Sequence, residues 1–183
     1  MADAAVEILH VDDDPAFAEL AATHLEREND RFSVETATRV AEGLDIVAES
    51  PPDCLVSDYD MPERNGIELL QNVREQYPEL PVILFTGKGS EEVASDAISA
   101  GVTDYLQKES GTEQYEILAN RIDNAVEQYR AKRRVQAERQ RFRTLFDRLS
   151  QPTVEVEYEG TDPIVRRINP AFEDVFGYTA DKI

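Results

Sequence analysis

Five short apolar runs recur along the first part of the chain: VEILHV (6–11), FSVETA (32–37), CLVS (54–57), PVILF (81–85) and TDYLQ (103–107). Each is too short for a typical helix and reads as a strand. Between them the apolar residues fall at helical spacing: Phe17, Leu20, Ala21 and Leu25; Val40, Leu44 and Val47; Ile67, Leu70 and Val73; Val93, Ala97 and Ile98. Strand then helix, five times over, leaves few architectures that bury both kinds of element. VEILHV and PVILF are almost continuously apolar, as a strand must be when both of its faces are covered, so the alternation predicts a parallel sheet wrapped by helices. Local punctuation agrees. Asp14-Pro15 fits an N-cap with proline in the first turn, and Asn65-Gly66 and Gly101 give the backbone freedom where the chain turns.

The fifth helical segment is longer than the rest. Tyr115, Leu118, Ile122, Ala125/Val126 and Tyr129 keep a heptad-like seam, and neither proline nor glycine intervenes before Pro152. The seam lapses between Arg130 and Arg141 and resumes as Phe142, Leu145, Phe146 and Leu149, which suits a connecting helix better than an unbroken coiled coil. A seam of this length also offers two copies of the chain a way to pair. From residue 153, TVEVEY alternates as a half-buried strand, DPIVRRI reads as its hairpin partner, and NPAFEDVFGYTADKI opens a helical stretch capped at Asn169-Pro170. A region of this size cannot readily bury a core of its own. The expected division is therefore a domain over 1–127, a helical linker over 128–149, and the N-terminal part of a second domain over 150–183.

Charge sharpens the picture. Of 183 residues, 38 are acidic and 19 basic, a formal net charge of -19. It is unevenly placed: -21 in residues 1–129, +6 in 130–149 and -4 in 150–183. Many carboxylates and only four lysines resemble the surfaces of proteins from salt-loving cytoplasms, where high salt screens self-repulsion. The basic island at 130–149 could bind nucleic acid, but no helix-turn-helix signature lies nearby, and a solvated connector is the simpler reading. The start, MADAAVEILHVDDD, lacks the basic region and long apolar stretch of an export signal, and no run has the length of a membrane helix, so the expected location is the cytoplasm with no membrane partner. Cys54, the single cysteine, reads as a small core hydrophobe. His10 and His24 read as structural.

The polar residues that carry chemistry fall at one repeated place, the carboxyl ends of strands. Asp12, Asp13 and Asp14 follow the first, Asp58 the third, Thr86 the fourth and Lys108 the fifth. In open parallel sheets that edge is the usual ligand crevice. Asp14 is better explained as the helix cap. Three carboxylates crowded into one crevice raise one another's pKa unless a cation neutralises them, and an all-oxygen set suits Mg²⁺, with Mn²⁺ able to use the same ligands. A carboxylate can also attack phosphorus to form an acyl phosphate, with an ammonium such as that of Lys108 stabilising the transferring oxygens.

With these motifs in this order, residues 5 to 127 resemble the receiver domains of response regulators. The resemblance implies a flavodoxin-like sheet in the order 2-1-3-4-5 with five helices. It implies Asp58, in CLVSDYDMPERNG, as phosphoacceptor for a histidine kinase or phosphotransfer protein. Asp13 would bind Mg²⁺ directly, Asp12 mainly through metal-bound water, and Asp60 through its backbone carbonyl. Thr86, in LFTGKG, would bond a phosphoryl oxygen, and Tyr105, in GVTDYLQK, would turn inward as the threonine moves. The output face would be the fourth helix, fifth strand and fifth helix. Asp60 and Lys88 occupy positions that in the family bear on dephosphorylation rate. One departure stands out: Glu109 follows Lys108 where receivers usually carry proline, so a cis bond is not expected there and the loop is expected to be looser or differently directed. Residues 142 to 183, through RFRTLFDRL, the strand pair and NPAFEDVFGYTADKI, resemble the beginning of a PAS domain; no PAS ligand is expected within them.

Rival readings are of other classes. Asp58-Tyr59-Asp60 could be the nucleophile and general acid of a haloacid-dehalogenase-like, Mg²⁺-dependent phosphatase, although that family normally puts the pair after its first core strand. A degenerate receiver acting as the binding module of a transcriptional regulator is a further alternative. As a receiver the chain is not an enzyme in its own right.

Overall fold

The computed structural model describes residues 4–62, 64–87 and 91–178, with the side chain of Glu92 excepted. Five strands, β1 (Val6–Val11), β2 (Phe32–Ala37), β3 (Cys54–Ser57), β4 (Val82–Thr86) and β5 (Asp104–Gln107), form one sheet in the order β2-β1-β3-β4-β5, every neighbouring pair parallel. The helices are α1 (Pro15–Glu28), α2 (Val40–Glu49), α3 (Gly66–Gln76), α4 (Glu91–Ser99) and α5 (Glu113–Arg148). The predicted alternation and strand order are both found.

Successive strand residues face opposite sides, and two cores result. Ile8, Val56, Ile83 and Phe85 pack with Ala21 and Leu25 of α1 and with Tyr115, Leu118 and Ile122 of α5. Leu9, Val11, Leu55 and Val82 pack with Val40 and Val47 of α2 and with Leu69, Leu70 and Val73 of α3. This two-sided burial explains the unbroken apolar runs of β1 and β4. Leu20 and Ile98, which share the helical period of their neighbours, are exposed instead. Each lies at the edge of its apolar stripe, where periodicity alone cannot tell core from rim.

Helix starts follow the expected chemistry. Asp14 caps α1, its Oδ1 accepting from the amides of Ala16 at 3.0 Å and Phe17 at 3.2 Å. Asn65 and Glu68 form a reciprocal capping box on α3. Among the described residues, arginine–aspartate pairs hold the first half of α5 to the sheet side: Arg31 with Asp123 at 2.5 Å, Arg121 with Asp104 at 2.5 Å, and Arg130 with Asp53 at 2.6 Å.

The chain separates into two compact units, Met1–Arg130 and Ala131–Ile183. In the second, β6 (Val154–Glu159) and β7 (Asp162–Ile168) form an antiparallel hairpin followed by α6 (Pro170–Phe176). Asn169 is buried and uses its whole amide. Its oxygen accepts from Thr153 and Phe172, and its nitrogen donates to the carbonyls of Leu149 and Gln151. All of β6 is exposed, which corrects the half-buried strand read from its alternation: among the described residues no layer covers this strand.

Candidate functional site

The strand order places the site. The connection from β1 runs outward to β2, whereas β3 continues through β4 to β5 on the other side, so the carboxyl ends of β1 and β3 flank the point where the chain's direction reverses. Asp12 follows β1 directly and Asp58 follows β3 directly; both are buried, while Asp13 is exposed. One carboxylate oxygen from each of the three lies within 4.8 Å of the other two. Asp14 stands apart from this cluster as the α1 cap.

Lys108, just beyond β5, reaches into the cluster. Its Nζ donates to Asp12 Oδ2 at 2.7 Å and lies 3.2 Å from Asp58 Oδ2. Asp58 Oδ1 accepts from the Tyr59 amide at 2.7 Å, and Ser57 Oγ donates to the Asp58 carbonyl at 2.8 Å. Asp12 Oδ1 accepts from the Asp14 amide at 3.0 Å. Thr86 is buried at the end of β4, and its carbonyl accepts from the Lys108 amide at 2.8 Å. Tyr105 is half-buried on β5 opposite Leu84, and burial pushes its phenol pKa up. Asp60 is exposed in the β3–α3 loop. Lys88 lies outside the described residues.

Electrostatics fit a cation in the crevice. Burial holds the Asp12 carboxyl above its usual range, opposed by its hydrogen bond from Lys108. Burial, then the charges of Asp12 and Asp58, raise that of Asp13. Among the described residues the ammonium of Lys108 serves this cluster of three carboxylates, and their all-oxygen donor set suits a hard divalent ion.

Four supporting residues escaped the sequence reading. The face of the Phe17 ring lies 4.2 Å from Lys108 Nζ, a cation–π contact made by a residue that reads in sequence as ordinary helix core. Ser57 is legible as a strand end and nothing more. Gly66, the first residue of α3, packs so tightly on the residue that follows β3 that a Cβ there would overlap the Asp58 carbonyl oxygen. Gln114 secures the loop after Lys108. The Glu109 amide donates to its Oε1 at 3.0 Å, and its Nε2 donates to the Gly111 carbonyl at 2.8 Å. The expectation of a looser loop is therefore corrected. A residue that is not proline has an N–H to give, and the buried Gln114 takes it. No cis peptide bond occurs among the described residues.

A family model for the response regulator receiver domain matches residues 8–120. The chain belongs to that family. The receiver match is joined by a PAS-domain match at residues 140–183. Among curated relatives, the photosynthetic apparatus regulatory protein RegA of Cereibacter sphaeroides is 37% identical over 101 residues, covering 55% of this chain and 54% of RegA. The transcriptional regulatory protein GlrR of Escherichia coli is 36% identical over 121 residues, covering 66% of this chain and 26% of GlrR. The chain thus spans about half of one relative and a quarter of the other. Among solved structures, a receiver domain protein of Clostridium thermocellum superposes with a TM-score of 0.62 at 28% identity, covering 69% of this chain and 98% of that one. A CheY-like receiver of Methanospirillum hungatei gives 0.63 at 26% identity, covering 70% and 99%. No helix among the described residues is long and apolar enough to cross a membrane.

Proposed function

We propose that this receiver takes a phosphoryl group onto Asp58 from a histidine kinase or phosphotransfer protein, with Mg²⁺ held by Asp12, Asp13, Asp58 and the Asp60 backbone carbonyl. The observation that carries the reading is the Lys108 ammonium set between Asp12, at 2.7 Å, and Asp58, at 3.2 Å. Mn²⁺ would use the same ligands. When bound, the ion supplies charge neutralisation, both for the carboxylates and for the transferring oxygens.

The chain's own groups would then act as follows. A carboxylate oxygen of Asp58 attacks phosphorus, the bond to the donor's imidazole nitrogen breaks, and an acyl phosphate forms. The Tyr59 amide holds one Asp58 oxygen and so fixes the carboxylate plane. Lys108 is already paired to the acceptor and stays to offset charge on the phosphoryl oxygens. The Thr86 hydroxyl bonds one of those oxygens, and Tyr105 moves inward behind it. This is a population shift toward the arrangement that binds the phosphoryl group better. Asp60 and Lys88 tune the return to the unphosphorylated state. The chain divides into a receiver over 1–127, a helical linker over 128–149 and the N-terminal part of a PAS-like domain over 150–183, with α4, β5 and α5 of the receiver as the output face.

Intact-mass measurement after incubation with acetyl phosphate and Mg²⁺ tests the assignment. A phosphoryl adduct is expected in the native chain, absent in Asp58→Asn and lost on adding EDTA. A folded native chain that takes no adduct from acetyl phosphate or from a phosphorylated donor protein would overturn it in favour of a binding module. Multiple-turnover release of phosphate from small phosphoesters would decide for a phosphatase instead.

A further inference from the structure

Beyond Arg130, α5 carries an apolar stripe that the described residues of its own unit leave about half exposed. Val135, Phe142 and Leu145 are 48%, 51% and 58% exposed, and they fall with Ala131 at the inward positions of a heptad repeat. Phe146, one step round the helix, is buried within the unit, with Arg167 stacked on its ring at 5.0 Å. Within the stretch between Arg130 and Arg141, where the seam lapses in sequence, the inward positions are held only by the small Ala131 and Val135 and are interrupted by Glu138.

The flanks of this stripe decide what fits it. The positions bordering an inward pair are Lys132 and Arg139 on one side and Arg134, Arg141 and Arg148 on the other, with no acid among them. Residues 130–149 hold two acids. Glu138 lies within the stripe, and Asp147 is turned away, paired to Arg167 at 2.7 Å. Flanking charges set partner choice and orientation in paired helices. A second copy would bring Arg and Lys against Arg and Lys in either orientation. In parallel register it would also set Glu138 against itself. The homodimer that the sequence allows is therefore opposed by its own charges. Nucleic acid would match the basic rows but leave Val135, Phe142 and Leu145 in water.

We infer that this stretch of α5 is a docking surface for an acidic amphipathic helix of another protein, one with an apolar stripe bordered on both sides by Asp and Glu. Such a helix covers the exposed side chains and sets acids along both basic rows in one contact. Its binding is tightest at low salt, because the flanking pairs are solvent-facing and screened within a few ångströms at molar ionic strength.

The test uses the intact 183-residue chain and two labelled heptad peptides with the same Leu/Ile stripe, one flanked by Glu and the other by Lys. Fluorescence anisotropy at about 0.1 M salt is expected to favour the Glu-flanked peptide by at least about tenfold, falling toward parity near 1 M. The double variant R134E/R141E reverses the preference, and Val135→Asp with Leu145→Asp abolishes binding of both peptides. All four sites are exposed, and far-UV circular dichroism checks that these variants stay folded. Several results overturn the inference: equal affinity for the two peptides, no binding of either, or displacement of the Glu-flanked peptide by random-sequence duplex DNA. So would a dimer at about 0.1 M salt in sedimentation, cross-linked through Val135→Cys, because the occupant is then a second copy. The native Cys54 does not interfere, being buried with its thiol pKa pushed up by desolvation.

Discussion

His10 lies two residues before Asp12 on β1, fully buried, its Nε2 3.7 Å from Asp12 Oδ2. Neither ring nitrogen has a hydrogen-bond partner among the described residues. Burial, and then the charge of Lys108, lower its pKa from 6.5 to about 4, outweighing the Ala18 backbone and Asp58, which favour the proton. Because the native value lies below the unfolded one, the unfolded chain binds more protons between those two pH values. Stability from this group is complete above pH 6.5 and drains away as the pH falls toward 4, by about 3 kcal/mol in all. His10→Leu removes that titration while keeping the volume. Urea unfolding of the two proteins at neutral and mildly acid pH is expected to show the native chain losing the larger share. Parallel losses would mean that His10 titrates normally. The acid cluster has the opposite sign, since raised carboxyl values favour the native state as the pH falls, so the comparison must be made against the variant and not read from one curve. Nothing in VEILHV distinguishes a buried imidazole from a strand-edge one; the covering layer of α1 and α5 does.

At the scale of elements, the loop from β5 to α5 has the most to say about transmission. Glu109 in place of proline was legible, but the compensation was not. It depends on where the first turn of α5 delivers Gln114, and on Gly111, at φ 107°, turning its carbonyl to meet the amide. Gln114→Leu keeps the bulk and removes both bonds, leaving the Glu109 amide without its partner. The expected cost is roughly 1–3 kcal/mol, with faster hydrogen exchange at residues 109–111 and slower adduct formation at Asp58, because Lys108 is no longer anchored from behind. Unchanged exchange there would show that the loop is held by its neighbours alone. The strands and helices themselves were legible because periodicity and capping residues are local facts. What periodicity left open, at Leu20 and Ile98, is which edge of a helical stripe faces the sheet, and that is set by packing.

Over the whole molecule, the site was legible for the same reason that the fold was: a parallel sheet gathers its strand ends, so acids after β1 and β3 and a lysine after β5 must meet. Charge is the property of the whole chain that neither fold nor site requires. With a net charge of -19, and -21 concentrated in residues 1–129, the native surface repels itself, and unfolding relieves that repulsion by spreading the charges apart. The Debye length shrinks from about 10 Å at 0.1 M to about 3 Å at 1 M, so added salt should weaken repulsion between surface carboxylates more than the short, partly buried pairs such as Arg130–Asp53. Stability is therefore expected to rise between about 0.1 and 2 M KCl by roughly 1 kcal/mol or more, a few degrees in Tm. KCl is the salt of choice because sulfate would also strengthen hydrophobic burial. A thermal melt series in KCl, repeated with a variant in which several exposed glutamates of α1 and α4 are changed to glutamine, separates the causes. If screening is the source, the variant starts higher and gains less. If both proteins gain equally, the salt acts on burial, and the acidic surface is a device for solubility and not an adaptation to a salty interior.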